Sequence, residues 1–196
     1  MSHLRILVVE DDPMSQRILT NYLGKWGYEY ALATDGLQAW QMLQEHDFPI
    51  VISDWMMPGL TGMELVRRIR EWTCPHGQIY TILLTGKTAK EDLVAAMDAG
   101  ADDFVTKPFD RDELRVRLQE GARMVEWDRT VQQQASEIVS QLETVRALLT
   151  AGVDASPASA QQVIRESQAA LTAAYHAARS LDRTLKPGDG STSPSK

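Results

Sequence analysis

With a single cysteine in 196 residues, Cys74, the chain has no internal disulfide available, and such sparing use fits a reducing compartment. Long hydrophobic runs are missing too. The opening MSHLRILVVEDD turns acidic after a few apolar residues, too soon for a signal-peptide core. Nothing downstream reaches the ~20 apolar residues of a membrane span. A cytoplasmic location without a membrane anchor is therefore expected. Basic clusters are the third absence. Residues 1–122 carry 12 Lys and Arg against 19 Asp and Glu, residues 123–186 carry seven of each sign, and the whole chain stands at −7. Neutralising a phosphate backbone needs Lys and Arg gathered on one face, so direct nucleic-acid binding is not expected.

What is present is an ordinary globular composition, 43% hydrophobic and 24% charged, with length for one domain and an appendage. Over the first 110 residues, short β-rich runs alternate with amphipathic segments. LRILVV (4–9) and PIVIS (49–53) are almost continuously apolar, as strands buried on both faces should be. IYTILLT (79–85) is a further strong strand, YEYALA (28–33) is less uniform, and DDFVT (102–106) is the shortest. Helix starts separate them. Asp12-Pro13, Asp35, Thr61, Thr88 with Glu91, and Asp110 with Glu113 all carry N-cap chemistry. The first opens a helix through Ile18, Leu19 and Leu23; the second precedes Leu37, Trp40 and Leu43. Five β–α alternations predict an α/β domain, an open doubly wound parallel sheet of ~110–120 residues with helices on both faces.

Beyond residue 122 the pattern changes to a helical extension over 123–186, a long helix continuing the fifth helix of the domain and then a second helix. Met124, Val131, Ile138 and Val145 recur every seven residues, and Ala135, Leu142 and Leu149 follow the last three by four. This is a coiled-coil seam, interrupted by Asp128 where the earliest core partner should fall. Gly152 to Ser156 reads as a turn, and Ser156-Pro157 opens the second helix through Val163, Ile164, Leu171, Tyr175, Leu181 and Leu185. Such helices pair within one chain or with a second copy. Because one two-helix hairpin buries little surface, a homodimer through the extension is expected. The Pro/Gly/Ser-rich end, 187–196, is expected to be disordered.

In open parallel sheets, side chains that act on ligands project from the carboxyl ends of the strands. The first predicted strand ends in Glu10, Asp11 and Asp12, the third in Asp54, the fourth in Thr85-Gly86, and the fifth leads to Lys107-Pro108. If strands one and three are neighbours, Glu10, Asp11 and Asp54 gather at one edge. Carboxylates this close disfavour one another's ionisation unless a cation compensates. An all-oxygen set with an anionic substrate favours Mg²⁺. A lysine ammonium and a hydroxyl beside it complete what phosphoryl transfer to a carboxylate needs, with Asp54 as the nucleophile.

VVEDDP, SDWMMPGLTG, LLTG and DDFVTKPF, in this order, resemble the receiver domain of bacterial response regulators from residue 4 to about 122, within an expected domain of residues 1–122. Each string alone is weak; four of them, with Asp11, Asp54, Thr85 and Lys107 separated by 43, 31 and 22 residues, are specific. The resemblance implies a flavodoxin-like strand order of 2-1-3-4-5. It implies Asp54 as the phospho-acceptor, Mg²⁺ bound by Asp11, Asp54 and the backbone carbonyl of Met56, and Glu10 acting through water. Thr85 and Lys107 would contact the phosphoryl group, and the Lys107–Pro108 peptide would be cis. Thr85 and Phe104 would form the switch, with Phe104 turning inward to repack the face of the fourth helix, fifth strand and fifth helix. Met56 and Lys87 stand where the family tunes autodephosphorylation. The partners implied are a sensor histidine kinase or a phosphotransfer protein, and the reaction is self-phosphorylation with slow dephosphorylation rather than turnover. Output would pass through the helical extension to a dimer or partner; the alternative is an intermediate phosphate relay or sink.

Two other chemistries use a related sheet. A haloacid-dehalogenase-type phosphatase needs a second aspartate two residues after the nucleophile, where this chain has Met56. A flavin module needs a Gly/Ser/Thr-rich phosphate loop after the first strand, where this chain puts carboxylates. Other features read more plainly. Asp12 is a cap, Cys74 with His76 falls below zinc-site spacing, and His176 is a surface histidine without the Lys-Gly that follows a phospho-histidine. Trp55 is a packing residue and a spectroscopic probe.

Overall fold

A computed structural model of the chain describes residues 4–75, 77–86, 94, 96–150, 161–162, 164–165 and 168–169. Five parallel strands, β1 (Arg5–Val9), β2 (Glu29–Ala33), β3 (Ile50–Asp54), β4 (Tyr80–Thr85) and β5 (Asp103–Thr106), lie in the order β2-β1-β3-β4-β5. This is the flavodoxin-like doubly wound sheet. Crossovers carry α1 (Pro13–Trp26), α2 (Gly36–Glu45) and α3 (Gly62–Glu71). Residues 94 and 96–98 are helical between β4 and β5. A long helix, Arg111–Thr150, follows β5.

Because side chains alternate across a strand, each central strand feeds two cores. Ile6, Val8, Ile50, Ile52, Ile82 and Leu84 face α1 (Leu19, Leu23) and the long helix (Leu114, Leu118, Val125). Leu7, Val9 and Val51 face α2 (Ala39, Leu43) and α3 (Leu65, Ile69). Ile18 sits off the Leu19–Leu23 stripe and is 38% exposed, as one residue's rotation about a helix requires.

The helix starts behave as capping chemistry dictates. Asp12 accepts a hydrogen bond from the Ser15 amide at 2.8 Å with Pro13 following, and Asp35 accepts from the Gln38 amide at 2.8 Å. Gly27 closes α1 at φ 79, where only glycine avoids a Cβ penalty. Thr61 and Glu64 form a full capping box, and the Thr61 bonds hold the Glu64 carboxyl below its usual range. Asp110 accepts from the Glu113 amide at 2.9 Å. The Thr88–Glu91 box lies outside the described residues, as do His76, Lys87, the 152–156 turn, His176 and the 187–196 tail.

At the amino-end side of the sheet, Arg70 of α3 donates to the carbonyls of Gly100 (2.7 Å) and Ile79 (2.8 Å), to Thr81 Oγ1 (2.9 Å) and to the Asp102 carboxylate. One guanidinium thereby joins α3, β4 and the approach to β5.

The chain divides into two compact units, Met1–Arg129 and Thr130–Lys196. In the first, the long helix stays part of the fold past residue 122. Val125 is buried in the core, Asp128 accepts from the Gln78 amide at 3.4 Å, and Arg129 pairs with Asp47 at 2.6 Å. Asp128, which interrupts the apolar seam in the sequence, is thus a contact within this unit. In the second unit the helix continues to Thr150 with Val131, Val139 and Leu142 exposed, and 161–162, 164–165 and 168–169 are helical. Among the described residues, no helix is long and apolar enough to cross a membrane.

Candidate functional site

The sheet brings four strand ends to one edge. Val9 pairs with Ser53 in β3, Asp54 with Leu84 in β4, and Thr85 with Thr106 in β5. Glu10, one step beyond β1, therefore lies beside the end of β3, while Lys107, one step beyond β5, starts one strand further on, past the end of β4. Glu10 is fully buried, Asp11 exposed and Asp54 9% exposed. One carboxylate oxygen from each of these three lies within 4.8 Å of the others. Lys107 reaches in from the end of β5, its Nζ 2.8 Å from Glu10 Oε2 and 2.8 Å from Asp54 Oδ2.

These charges explain one another. Burial pushes the Glu10 carboxyl above its ordinary range, against the pull of the Lys107 hydrogen bond. For Lys107, burial disfavours the ammonium, yet the hydrogen bonds to Asp54 and Glu10 outweigh it and hold its pKa above the ordinary lysine value. Three carboxylates against one ammonium leave negative charge uncompensated in a set made of oxygen donors alone. That is the donor chemistry of a hard divalent cation, and the cluster can hold a metal ion.

The other expected residues surround this point. Thr85 is fully buried at the end of β4, and its carbonyl accepts from the Lys107 amide at 2.7 Å. The Lys107–Pro108 peptide is cis. Met56 follows Asp54 with its side chain 60% exposed, and its amide is 3.4 Å from Asp54 Oδ1. Among the described residues, a Cβ at Gly86 would meet nothing within 4 Å. Phe104 is half-buried against the cluster of Trp55, Val66, Leu83, Ala96 and Ala101.

A family model of the response regulator receiver domain matches residues 6–119. The chain belongs to this receiver family. Its receiver region is 39% identical over 121 residues to the transcriptional regulatory protein TcrA of Mycobacterium tuberculosis, covering 60% of this chain and 46% of that protein. It is 37% identical over 112 residues to the aerobic respiration control protein ArcA of Escherichia coli K12, covering 57% of this chain and 45% of that one. The chain thus spans about half the length of the curated relatives it matches. Among solved structures, Vibrio cholerae chemotaxis protein CheY4 superposes with TM-score 0.57 at 29% identity, over 61% of this chain and 98% of that one. The receiver domain of sensor histidine kinase PA1611 from Pseudomonas aeruginosa PAO1, with magnesium coordinated in its active-site cleft, gives 0.56 at 31% identity over 61% and 97%.

Three residues of this receiver shape the site and were not assigned from the sequence. Gly62 opens α3 directly behind Asp54: a Cβ there would lie 2.0 Å from the Asp54 carbonyl oxygen. Ser53 Oγ, buried, donates to that same carbonyl at 2.9 Å. Gln16 of α1 donates to the Glu10 carbonyl and pins the end of β1. Gly62 had a signal in the string SDWMMPGLTG, two glycines bracketing a helix start. The other two are ordinary polar residues whose partners only the fold supplies.

Proposed function

We propose that this receiver accepts a phosphoryl group on Asp54 from a sensor histidine kinase or phosphotransfer protein, in a Mg²⁺-dependent reaction. One observation carries the reading. Lys107 bridges Glu10 and Asp54 at 2.8 Å each, beside a three-carboxylate cluster, at the carboxyl end of a doubly wound sheet. Asp11, Asp54 and the Met56 carbonyl would hold the metal, with Glu10 acting through water. When bound, Mg²⁺ supplies positive charge to the equatorial phosphoryl oxygens.

The chain's own residues do the rest. An Asp54 carboxylate oxygen attacks phosphorus in line, the donor oxygen or nitrogen departs with its electron pair, and an acyl phosphate remains. Lys107, freed from one carboxylate contact, neutralises a phosphoryl oxygen. The Thr85 hydroxyl donates to another, and its movement opens space for Phe104 to turn inward. Phe104 and Trp55 share one apolar cluster, which supports a path from the acceptor strand to the β5 face. Met56 and Lys87 tune how long the acyl phosphate lasts. Residues 1–122 carry this chemistry, the helices of 123–186 carry the output by self-association, and 187–196 is a tail.

Acetyl phosphate with Mg²⁺ tests the reading. Intact mass should rise by one phosphoryl group and Trp55 fluorescence should change, both abolished by chelation and by Asp54→Ala. Equal labelling of Asp54→Ala, or none of the unmodified chain, removes the proposal.

A further inference from the structure

Past the receiver unit the long helix presents an uncovered apolar face. Val131 is 39% exposed, Val139 55% and Leu142 60%. A stripe of this kind in water marks an interface. Its start is fixed by Asp128 and Arg129, which are engaged with Gln78 and Asp47 in the first unit, so the free seam begins at Val131.

The register of that seam tells how many helices it fits. Its spacing places Ala135, Leu142 and Leu149 at a positions and Val131, Ile138 and Val145 at d. Leucine at a with β-branched residues at d shifts the preference from two strands to three or four, and two copies giving two helices each make four. The flanks agree. Of the six e and g positions between 132 and 148, only Arg146 is charged, so no ion pairs set a two-stranded partner, while Val139 widens the apolar face to bundle breadth. Length agrees as well. Val131 to Leu149 covers about 28 Å of helix at 1.5 Å per residue, under three heptads with alanine in one core layer, which is marginal for two strands alone.

The chain carries a second strip of the same kind. Ile164, Leu171, Ala178 and Leu185 recur every seven residues, with Ala174 and Leu181 three after the middle two. Within it 164–165 is helical and Ile164 is 52% exposed.

We propose that two copies of this chain build one four-helix core, each giving the helix from Val131 onward and the segment around Ile164. The second copy is what covers the seam. This rests on the reading of the extension as the output element and is independent of chemistry at Asp54.

Light scattering of the full chain at micromolar concentration should give twice the 21.9 kDa chain mass. Leu142→Lys and Ile164→Lys, both at exposed positions, should each halve it. Val116→Lys, 52% exposed on the receiver part of the same helix, should leave it doubled. A 21.9 kDa unmodified chain or a four-chain mass overturns the proposal. So does an Ile164→Lys protein that stays doubled, which means two strands suffice, or a Val116→Lys protein that halves, which means the receiver face pairs instead. Acetyl phosphate labelling of the same samples separates the two readings: a doubled mass without labelling sinks the acceptor role alone, and labelling of a monomer sinks the bundle alone.

Discussion

Lys107 Nζ and Glu10 Oε2 lie 2.8 Å apart although the Glu10 side chain is wholly buried, so the ammonium that serves Asp54 also neutralises a carboxylate with no access to water. Removing it should therefore have two effects. Lys107→Ala should slow acetyl phosphate labelling by roughly 10²–10³-fold, the usual loss for one electrostatic contact to the transition state. It should also lower the unfolding free energy by about 3 kcal/mol at neutral pH, because a buried charge is left unpaired. Lys107→Arg should not restore the rate, since a planar fork replaces a point charge between two carboxylates. Labelling kinetics and urea unfolding on the same proteins check both.

Gly62 is a steric requirement. With a Cβ placed 2.0 Å from the Asp54 carbonyl oxygen, Gly62→Ala must move α3 or the end of β3. The cost should be about 1–3 kcal/mol, with slower labelling because Asp54, the proposed acceptor, is displaced. Gly24→Ala, where a Cβ meets nothing within 4 Å among the described residues, should be neutral or slightly stabilising in thermal melts.

Two arginines far apart in sequence from their partners should differ in worth. Arg70 satisfies two carbonyls, a hydroxyl and Asp102, and is 24% exposed. Arg70→Ala should cost about 2–4 kcal/mol, since buried acceptors lose their donor. Arg129 meets Asp47 with both side chains more than a third exposed, and Arg129→Ala should cost under about 1 kcal/mol. Chemical denaturation of the two variants measures the contrast.

Tyr80 should ionise well above the ordinary tyrosine value. Burial, with Asp103 and Asp102 nearby, pushes its phenol up to about 12. A pKa raised above the unfolded value of 10.0 means its contribution to stability is whole below pH 10 and fades as pH rises through about 12. Absorbance titration of phenolate should show this step vanish in Tyr80→Phe, and that variant should resist alkaline unfolding better over the same window.

Much of this was legible in the primary structure for a physical reason. Strands buried on both faces must be continuously apolar, and caps must supply an oxygen at a fixed offset, so β1, β3, β4 and the starts at Asp12, Asp35 and Thr61 announce themselves. The motifs likewise put Asp54, Thr85 and Lys107 at strand ends, which is where the fold has them. What local pattern cannot carry is a partner chosen by three-dimensional return of the chain. Arg70 finds Asp102, Asp128 finds Gln78, and Gly62 must yield to the Asp54 carbonyl.

The sequence by itself determined the alternation of elements, the acidic and basic chemistry at the strand ends, and the seven-residue repeat of the extension, because each is written in neighbouring residues. Only the tertiary structure decided that Lys107 bridges two carboxylates, that α3 presses its glycine against Asp54, and that Asp128 belongs to the receiver unit. Those depend on strand order and register, which bring residues from distant parts of the chain within bonding distance.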